Sequence, residues 1–241
     1  TKNSSNFSTG QAKKKYVFRH KGISHYLINV ANPKYKFTVA EYQKKAIYAI
    51  AEIIKKGKTP IICGGTGFYI DAITKGIIFP EVPPNKKLRR SLIQKSATAL
   101  FYELQKLDPE RARNIDKNNK VRLIRAIEIA KAIGKVPSLA TKPPSYKFIK
   151  IGLYLPADKL KKRIEKRVEK MFKAGLLDEI KKLKKSGISD KRLREFGFEY
   201  NNPTKEKVIT ETIKYTKRQM TWFKRDKEIK WLDASKLKKD F

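Results

Sequence analysis

The stretch AEYQKKAIYAIAEIIKKGKTPIICGGTGFYIDAITKG, residues 40–76, decides the fold class. Apolar residues within 40–56 recur at the spacing of one helix face, and Gly57 is placed to end that helix. The run TPIIC, residues 59–63, is typical of a buried parallel strand, and GGTG at 64–67 predicts a tight turn into a second helix. Helix, buried strand, glycine turn and helix together predict an α/β fold.

The rest of the chain continues this pattern around a helical segment that follows the prolines at 80–84. Helical periodicity covers 85–107 and 118–135 with a turn region between them, then 158–175, 178–187 and 204–226, while 146–156 and 229–233 have the character of strands. We therefore predict an α/β core over residues 1–80 and 145–241, with a helical insertion domain over 81–144.

The charge of the chain points to a polyanionic partner. Its 241 residues carry 58 Lys and Arg against 23 Asp and Glu, a net charge of +35, which favours a nucleic acid. A lysine surplus on an ordinary solvated surface is the alternative. An apolar fraction of 40% excludes a disordered tail, and no apolar run approaches the length of a membrane span, so we expect no membrane partner.

The single cysteine excludes an internal disulfide framework, and with only two histidines a Cys- or His-rich metal site is excluded as well. Cys63 is flanked by apolar residues, so we predict a buried, unreactive thiol. A reducing cytoplasm is the expected compartment, and we expect the chain to act as a monomer.

Two features could bind phosphate. Backbone amides of the GGTG turn and the hydroxyl of Thr66 could approach a phosphate, although the glycines could equally serve close packing. Arg163, Arg167 and Lys170 recur at i, i+4 and i+7 beside an apolar helix face. Such a stripe could clamp a diphosphate, or it could be a solvated helix face whose cations pair with interleaved glutamates.

Two further segments suit RNA. The helix start around Arg122 and Arg125 could contact phosphates and base edges, or one of these arginines could pair with Glu128 on the surface. The segment KRQMTWF, residues 217–223, mixes cations with aromatic rings, which permits base stacking. Its aromatic rings could also be packed in the core while the cations face a ligand.

These segments, in this order, resemble the bacterial-type tRNA dimethylallyltransferase (tRNA isopentenyltransferase) family. The matching blocks are TGQAK (9–13), GISHYLINV (22–30), FTVAEYQ (37–43), CGGTGFYIDAITKG (63–76), LDPERARNID (107–116), NNKVRLIRAIEI (118–129), RIEKRVEKMFKAGLLDEI (163–180), FGFEY (196–200) and KRQMTWFKRD (217–226) with a terminal WLD. One block would be weak support, whereas this many in the same order and spacing are strong support.

The resemblance implies a fold and a reaction. The fold is a P-loop-kinase-like parallel sheet core, incomplete at its N-terminus here, with an inserted helical tRNA-binding domain. The reaction transfers a dimethylallyl group from dimethylallyl diphosphate to N6 of adenine 37 of tRNA, next to the anticodon, after the base is flipped out of its stack. The expected partners are therefore the tRNA anticodon stem-loop and dimethylallyl diphosphate, with Mg²⁺ neutralising the departing diphosphate.

The resemblance also assigns roles to individual residues. Arg167 is similar to the arginine that holds the diphosphate and supports its departure, and so is the expected catalytic and diphosphate-binding residue. The expected tRNA-binding residues are Thr66, Arg89, Val121, Arg122, Leu123, Ile124, Arg125, Arg194, Glu195, Phe196, Gly197, Phe198, Glu199, Lys217 and Arg218.

Two parts of the family pattern do not occur in this sequence. The pattern G-x-x-x-x-G-K-[ST], which binds the diphosphate and magnesium, is absent, as is the aspartate that follows it and acts as general base. We expect both upstream of Thr1 in a longer protein, and we predict no metal ligand within this chain. If they have been lost, the chain would be a catalytically inactive anticodon-loop-binding protein. A nucleotide or nucleoside kinase, which the α/β core would also suit, is disfavoured because the absent P-loop is its defining site.

Overall fold

A computed structural model describes residues 17–142, 144 and 146–237. Within these ranges, ten α-helices, one 3₁₀ helix and four short strands are formed. In chain order they are β1 (Phe18–His20), β2 (Ile23–His25), α1 (Val39–Lys55), α2 (Gly67–Thr74), α3 (Lys86–Ile93), α4 (Ala97–Leu107), α5 (Pro109–Arg113), α6 (Lys120–Ile133), β3 (Ile151–Tyr154), α7 (Ala157–Lys173), α8 (Leu176–Lys185), α9 (Asp190–Phe196), the 3₁₀ helix (Phe198–Tyr200), α10 (Lys205–Phe223) and β4 (Lys230–Asp233).

The chain divides into two compact units. One, here called the core unit, comprises Thr1–Thr74 with Ser145–Phe241, and the other, here called the helical unit, comprises Lys75–Pro144. We predicted an insertion over 81–144; in the structure the helical unit begins earlier, where Gly76 and Lys142 pair through their backbones. Gly76 has φ +60°, and a Cβ there would lie 1.9 Å from the Lys142 carbonyl oxygen, so this close approach needs glycine.

The parallel sheet of the described residues consists of only two strands, β3 and β4. The described strands form two separate pairs: β1 with β2 is antiparallel, and β3 with β4 is parallel with Ile151 opposite Lys230. Residues 59–63 do not form the predicted buried strand, and the side chain of Ile61 is 86% exposed. Residues 26–30 are not a strand either, because Leu27 and Asn29 have positive φ angles (62° and 55°) that an extended strand does not allow.

Most of the predicted helices are present, with local capping that explains their limits. The first begins at the capping box of Thr38 and Glu41, whose side chains and backbone amides bond reciprocally. The expected turn region 108–116 is partly helical, since Asp108 caps a one-turn helix with proline at its first position. No helix in the described ranges is long and apolar enough to cross a bilayer.

Helix packing builds the cores of both units. In the helical unit, α3, α4 and α6 bury a cluster that includes Leu92, Leu100, Leu104 and Leu123. In the core unit, α7 packs on α10 through Ile164, Val168 and Val208, and α8 and α9 form a neighbouring cluster. The contact of α7 with α10 matters most here, because the open side of this seam forms the candidate site.

Candidate functional site

A cleft of about 460 Å³ opens along the seam between α7 and α10. Its walls come from α7, from the junction of α9 with the 3₁₀ helix, and from α10. The lining residues are Ile164, Arg167, Val168, Met171, Phe196, Gly197, Phe198, Glu199, Val208, Thr212, Tyr215 and Arg218. Apolar side chains make up half of this lining, and the polar set includes two arginines. The lining therefore combines an apolar surface with two guanidiniums and the carboxylate of Glu199, a mixture that can accept a ligand with both anionic and hydrocarbon parts.

Arg167 is the residue of the predicted cation stripe on α7 that lines the cleft. It lies next to the buried Val168 and one turn from the buried Ile164, and it lines the cleft, whereas Arg163 and Lys170 do not line it. Arg167 is exposed, so its guanidinium is accessible to a ligand. Of the predicted stripe, the structure thus brings one arginine to the cleft.

The GGTG turn is held against α10. Gln219 donates from Nε2 to the carbonyl oxygen of Gly65 at 2.9 Å, and the hydroxyls of Thr66 and Tyr215 lie 3.4 Å apart. Thr66 remains exposed beside Tyr215, which itself lines the cleft. Gly65 and Gly67 therefore serve close packing against α10, since a Cβ at either position would lie within 2.2 Å of a side chain of that helix.

Gly67 shows how tight this contact is. A Cβ at this position would lie 2.2 Å from Cδ1 of Trp222, whereas a Cβ at Gly64 would meet no atom within 4 Å. Gly67→Ala is therefore expected to lower the free energy of unfolding by about 1–3 kcal/mol through overpacking. Gly64→Ala is the matched control and is expected to change it by less than about 0.5 kcal/mol. Urea unfolding of both variants measures the difference, and equal stabilities would contradict the packing.

Cys63, next to this turn, is exposed rather than buried as predicted. The prediction assumed that residues 59–63 form an interior strand, and that strand is absent from the described structure. The apolar neighbours of Cys63 in sequence therefore do not enclose its thiol.

The segment 194–199 was predicted to bind tRNA, and the structure gives its residues different surroundings. Phe196 packs in the cluster of α8 and α9, and Phe198 packs against the α7–α10 cluster. Gly197, at φ 150°, connects α9 to the 3₁₀ helix, and Glu199 lines the cleft. Arg194 is exposed. The two phenylalanine side chains thus support the wall of the cleft.

Arg192, which the sequence analysis missed, anchors this segment. Its Nε donates to the carbonyl oxygen of Pro33 at 2.9 Å, its Nη2 donates to that of Tyr35, and its Nη1 pairs with Glu195 at 2.7 Å. Burial raises the pKa of the Glu195 carboxyl, but hydrogen bonds from Arg192 and Lys36 outweigh this, and the pKa lies below its ordinary value. Glu195 is therefore committed to an ion-pair network within the core unit.

The predicted pair Lys217 and Arg218 lies on α10. Arg218 lines the cleft, and its guanidinium carbon is 5.7 Å from the centre of the Tyr215 ring, within cation–π range. Both residues also border a shallower depression of about 250 Å³ together with Thr221, Trp222 and Arg225. Trp222 and Phe223 are half-buried, as predicted for packed aromatic rings, and Lys217 and Arg218 are exposed. That these cations face a ligand stays a prediction.

The helical unit carries the other predicted tRNA-binding residues. Val121 and Arg122 are exposed at the start of α6, where the side chain of Asn119 caps the helix. Leu123, in contrast, is fully buried in the core of this unit, and Ile124 is half-buried beside it. The buried side chain of Leu123 has no surface to offer a ligand, because the helical period turns it inward.

Arg89 and Arg125 both bind Glu128, a residue whose role the sequence analysis underestimated. Its position four residues or fewer from an arginine on α6 is compatible with a surface ion pair, but Glu128 is only 2% exposed. Arg89 donates to it from Nε and Nη2 at 2.8 and 2.6 Å, and Arg125 from Nη1 at 2.5 Å. An acidic residue within the apolar run AIEIA was the sequence signal for a buried, paired carboxylate.

The resemblance implies a magnesium ion, whose ligands in proteins are oxygen atoms, chiefly of carboxylates. Among the described residues, no three His, Cys, Asp or Glu side chains lie close enough together to hold a metal ion. Asp226 and Glu228, which are near each other, both accept from Nζ of Lys150, at 2.8 and 2.7 Å. The described residues therefore do not by themselves make the magnesium site that the resemblance implies.

Comparison with known proteins gives one consistent result. A tRNA dimethylallyltransferase of Halothermothrix orenii is 37% identical over 237 residues, covering 88% of this chain and 71% of that protein. One from a Cyanothece species is 36% identical, covering 95% and 79%. The crystal structure of the full-length tRNA isopentenylpyrophosphate transferase of Bacillus halodurans superimposes with a TM-score of 0.58 at 32% identity, covering 88% of this chain and 72% of that one. Because the family model described as IPP transferase matches residues 7–226, nearly the whole length, this chain belongs to that family.

Proposed function

We propose that this chain transfers a dimethylallyl group from dimethylallyl diphosphate to N6 of adenine 37 of a tRNA, within the cleft between α7 and α10. The observation that carries the proposal is the accessible guanidinium of Arg167 at a cleft with an apolar lining. A guanidinium suits a diphosphate, since its planar donors match phosphate oxygens. The apolar lining suits the short branched hydrocarbon.

The chemistry is a displacement at an allylic carbon. The N6 lone pair forms a bond to C1 of the dimethylallyl group, the C1–O bond breaks, and its electron pair leaves with the diphosphate oxygen. N6 then loses a proton to a carboxylate base, the aspartate that the resemblance implies and that does not occur in this sequence. Negative charge grows on the diphosphate in the transition state, so a fixed cation beside the leaving oxygen stabilises the transition state more than the ground state. Arg167 takes that role in the proposal, and Arg218 borders the same cleft.

RNA binding is supported by the charge of the chain and by where its cations lie. The net charge is +35, and exposed cations occur on both units, among them Arg122, Arg194 and Lys217. Such cations contact phosphates without reading sequence, and they fix the register of the RNA. Recognition of adenine 37 requires contacts to the flipped base. In this proposal, the flipped base enters the cleft from its open side and is contacted there.

The test is transfer by the protein in a form that carries the G-x-x-x-x-G-K-[ST] pattern and the general-base aspartate that the resemblance implies. The protein is incubated with dimethylallyl diphosphate, Mg²⁺ and a synthetic anticodon stem-loop that has adenine at positions 36 and 37, and the RNA is weighed by mass spectrometry. We expect the mass of one dimethylallyl group to be added, and no addition to a stem-loop with guanine at position 37. Binding of the stem-loop without any added mass would overturn the proposal and favour an anticodon-loop-binding protein that catalyses nothing.

A further inference from the structure

Glu128 is the most buried charged side chain among the described residues of the helical unit. Its carboxylate accepts four hydrogen bonds: two from Arg89, one from Arg125, and one at 2.6 Å from the backbone N–H of Asn85. Asn85 in turn caps α3, because its side chain accepts from the backbone N–H of Leu88. One buried carboxylate thus joins α6, the start of α3 and two arginines.

These hydrogen bonds hold both guanidiniums on the side that faces the interior of the helical unit, and so they fix the orientation of each group. Arg89 binds Glu128 through two donors, which sets the plane of its fork. Arg125 divides its donors between Glu128 and the carbonyl oxygen of Val82, the latter at 2.9 Å. The side chains nevertheless remain 35% and 34% exposed. Each arginine is therefore rigid on its inner side and accessible on its outer side.

The charges leave this cluster positive. Two guanidiniums face one carboxylate, so one positive charge is unbalanced at the surface. The unit around it holds 16 Lys and Arg against 6 Asp and Glu, which is a net charge of +10. A surface of this charge with pre-oriented arginines fits a phosphate backbone better than it fits a neutral or cationic partner.

We propose that Glu128 is a positioning residue for RNA binding, holding Arg89 and Arg125 in the orientation in which they contact the RNA backbone. This inference rests on the proposed function, which supplies the RNA. Glu128 itself contacts no RNA in this account; it acts through the two arginines. Rigid donors lose less side-chain entropy on binding than free arginines, and that gain disappears when the carboxylate is removed.

Whether removal of the Glu128 carboxylate weakens or strengthens RNA binding distinguishes the positioning role from an effect of net charge alone. Removing a negative charge from a basic surface strengthens RNA binding if only net charge matters. Loss of the anchor weakens RNA binding if orientation matters. Glu103 provides a matched control, because it also bridges two cations of this unit, Lys95 and Lys131, but lies 19% exposed on α4.

The experiment measures the affinity of the full chain for the anticodon stem-loop RNA at two salt concentrations. Glu128→Gln, which keeps the side-chain shape, is expected to weaken binding about tenfold, the scale of one well-oriented arginine contact. Glu103→Gln is expected to bind as tightly as the parent or slightly more tightly. In an Arg89→Ala/Arg125→Ala background no guanidinium remains to be positioned, so Glu128→Gln is expected to cause no weakening of RNA binding, whereas a general loss of stability would weaken binding in this background too.

The outcomes separate the two proposals. If the parent chain binds the stem-loop and Glu128→Gln binds it equally or more tightly, the positioning role is wrong and the proposed function stands. If the parent chain does not bind the stem-loop at all, the proposed function fails, and this inference fails with it. Should Glu128→Gln not fold, Arg89→Lys replaces it. That variant keeps the charge but loses the two-donor fork, so we expect weaker binding, and unchanged affinity would overturn the inference.

Discussion

Arg167→Gln is expected to lower kcat/KM for dimethylallyl transfer by about 10²–10³-fold, the range seen when one preorganised donor to a developing anion is removed. The reason is that Arg167 brings its charge to the cleft where the diphosphate would depart. If its contact strengthens as negative charge grows, the loss falls mainly on kcat rather than on KM. Single-turnover transfer to the stem-loop RNA, followed over a range of diphosphate concentrations, measures both.

Lys166→Gln is the matched control for this prediction. Lys166 precedes Arg167 on α7, it is exposed, and it does not line the cleft, so its replacement removes the same charge one residue away. We expect at most a few-fold change, caused by the weak long-range field of a surface cation in salt. Equal losses in the two variants would mean that Arg167 contributes only net charge, and its assigned role would be wrong.

Glu128→Ala is expected to lower the free energy of unfolding by about 3 kcal/mol. This is the low end of the cost of breaking a buried ion pair, since both partner arginines remain about one-third exposed and can be rehydrated. The backbone N–H of Asn85, the residue that caps α3, also loses the carboxylate to which it donates. Urea unfolding at neutral pH measures the loss. Glu103→Ala, which removes a more exposed carboxylate with two lysine partners, is expected to cost less than about 1 kcal/mol.

The cost of Glu128→Ala should also depend on pH. Burial raises the pKa of the Glu128 carboxyl, but hydrogen bonds from Arg89, Arg125 and the Asn85 backbone outweigh this, and the pKa lies below the ordinary value of 4.5. A carboxyl whose pKa is lowered by folding stabilises the folded state above its ordinary pKa, and this contribution is lost as the pH falls through the lowered value. The difference between parent and variant should therefore shrink below about pH 4.5. A difference that is constant down to pH 3 would contradict the ion-pair account.

Helices were predictable from the sequence because their signal is local. The amphipathic run of α1 and its end before Gly57 follow from apolar spacing, and the structure places the helix at Val39–Lys55. Strands were less predictable, because a strand exists only where a partner pairs with it. TPIIC has the composition of a buried strand, yet residues 59–63 pair with no described strand and Ile61 is exposed.

The sequence indicates which residue types could form the candidate site, but it does not indicate how they are arranged. Periodicity placed Arg163, Arg167 and Lys170 on one helix face, but only the packing of α7 on α10 distinguishes Arg167 as the residue that lines the cleft. Sequence spacing also gave no indication that Arg192 binds residues of the 33–35 loop, since these contacts join segments more than 150 residues apart. Such long-range contacts depend on the assembled fold.

The central claim is that the cleft between α7 and α10 holds the diphosphate. A crystal structure of the full chain with dimethylallyl S-thiolodiphosphate, an unreactive analogue, tests it most directly. The account predicts that the diphosphate contacts the guanidinium of Arg167 and that the hydrocarbon end lies against the apolar lining formed by Ile164, Val168 and Phe198. An analogue bound elsewhere, with the guanidinium of Arg167 making no contact to it, would contradict the account.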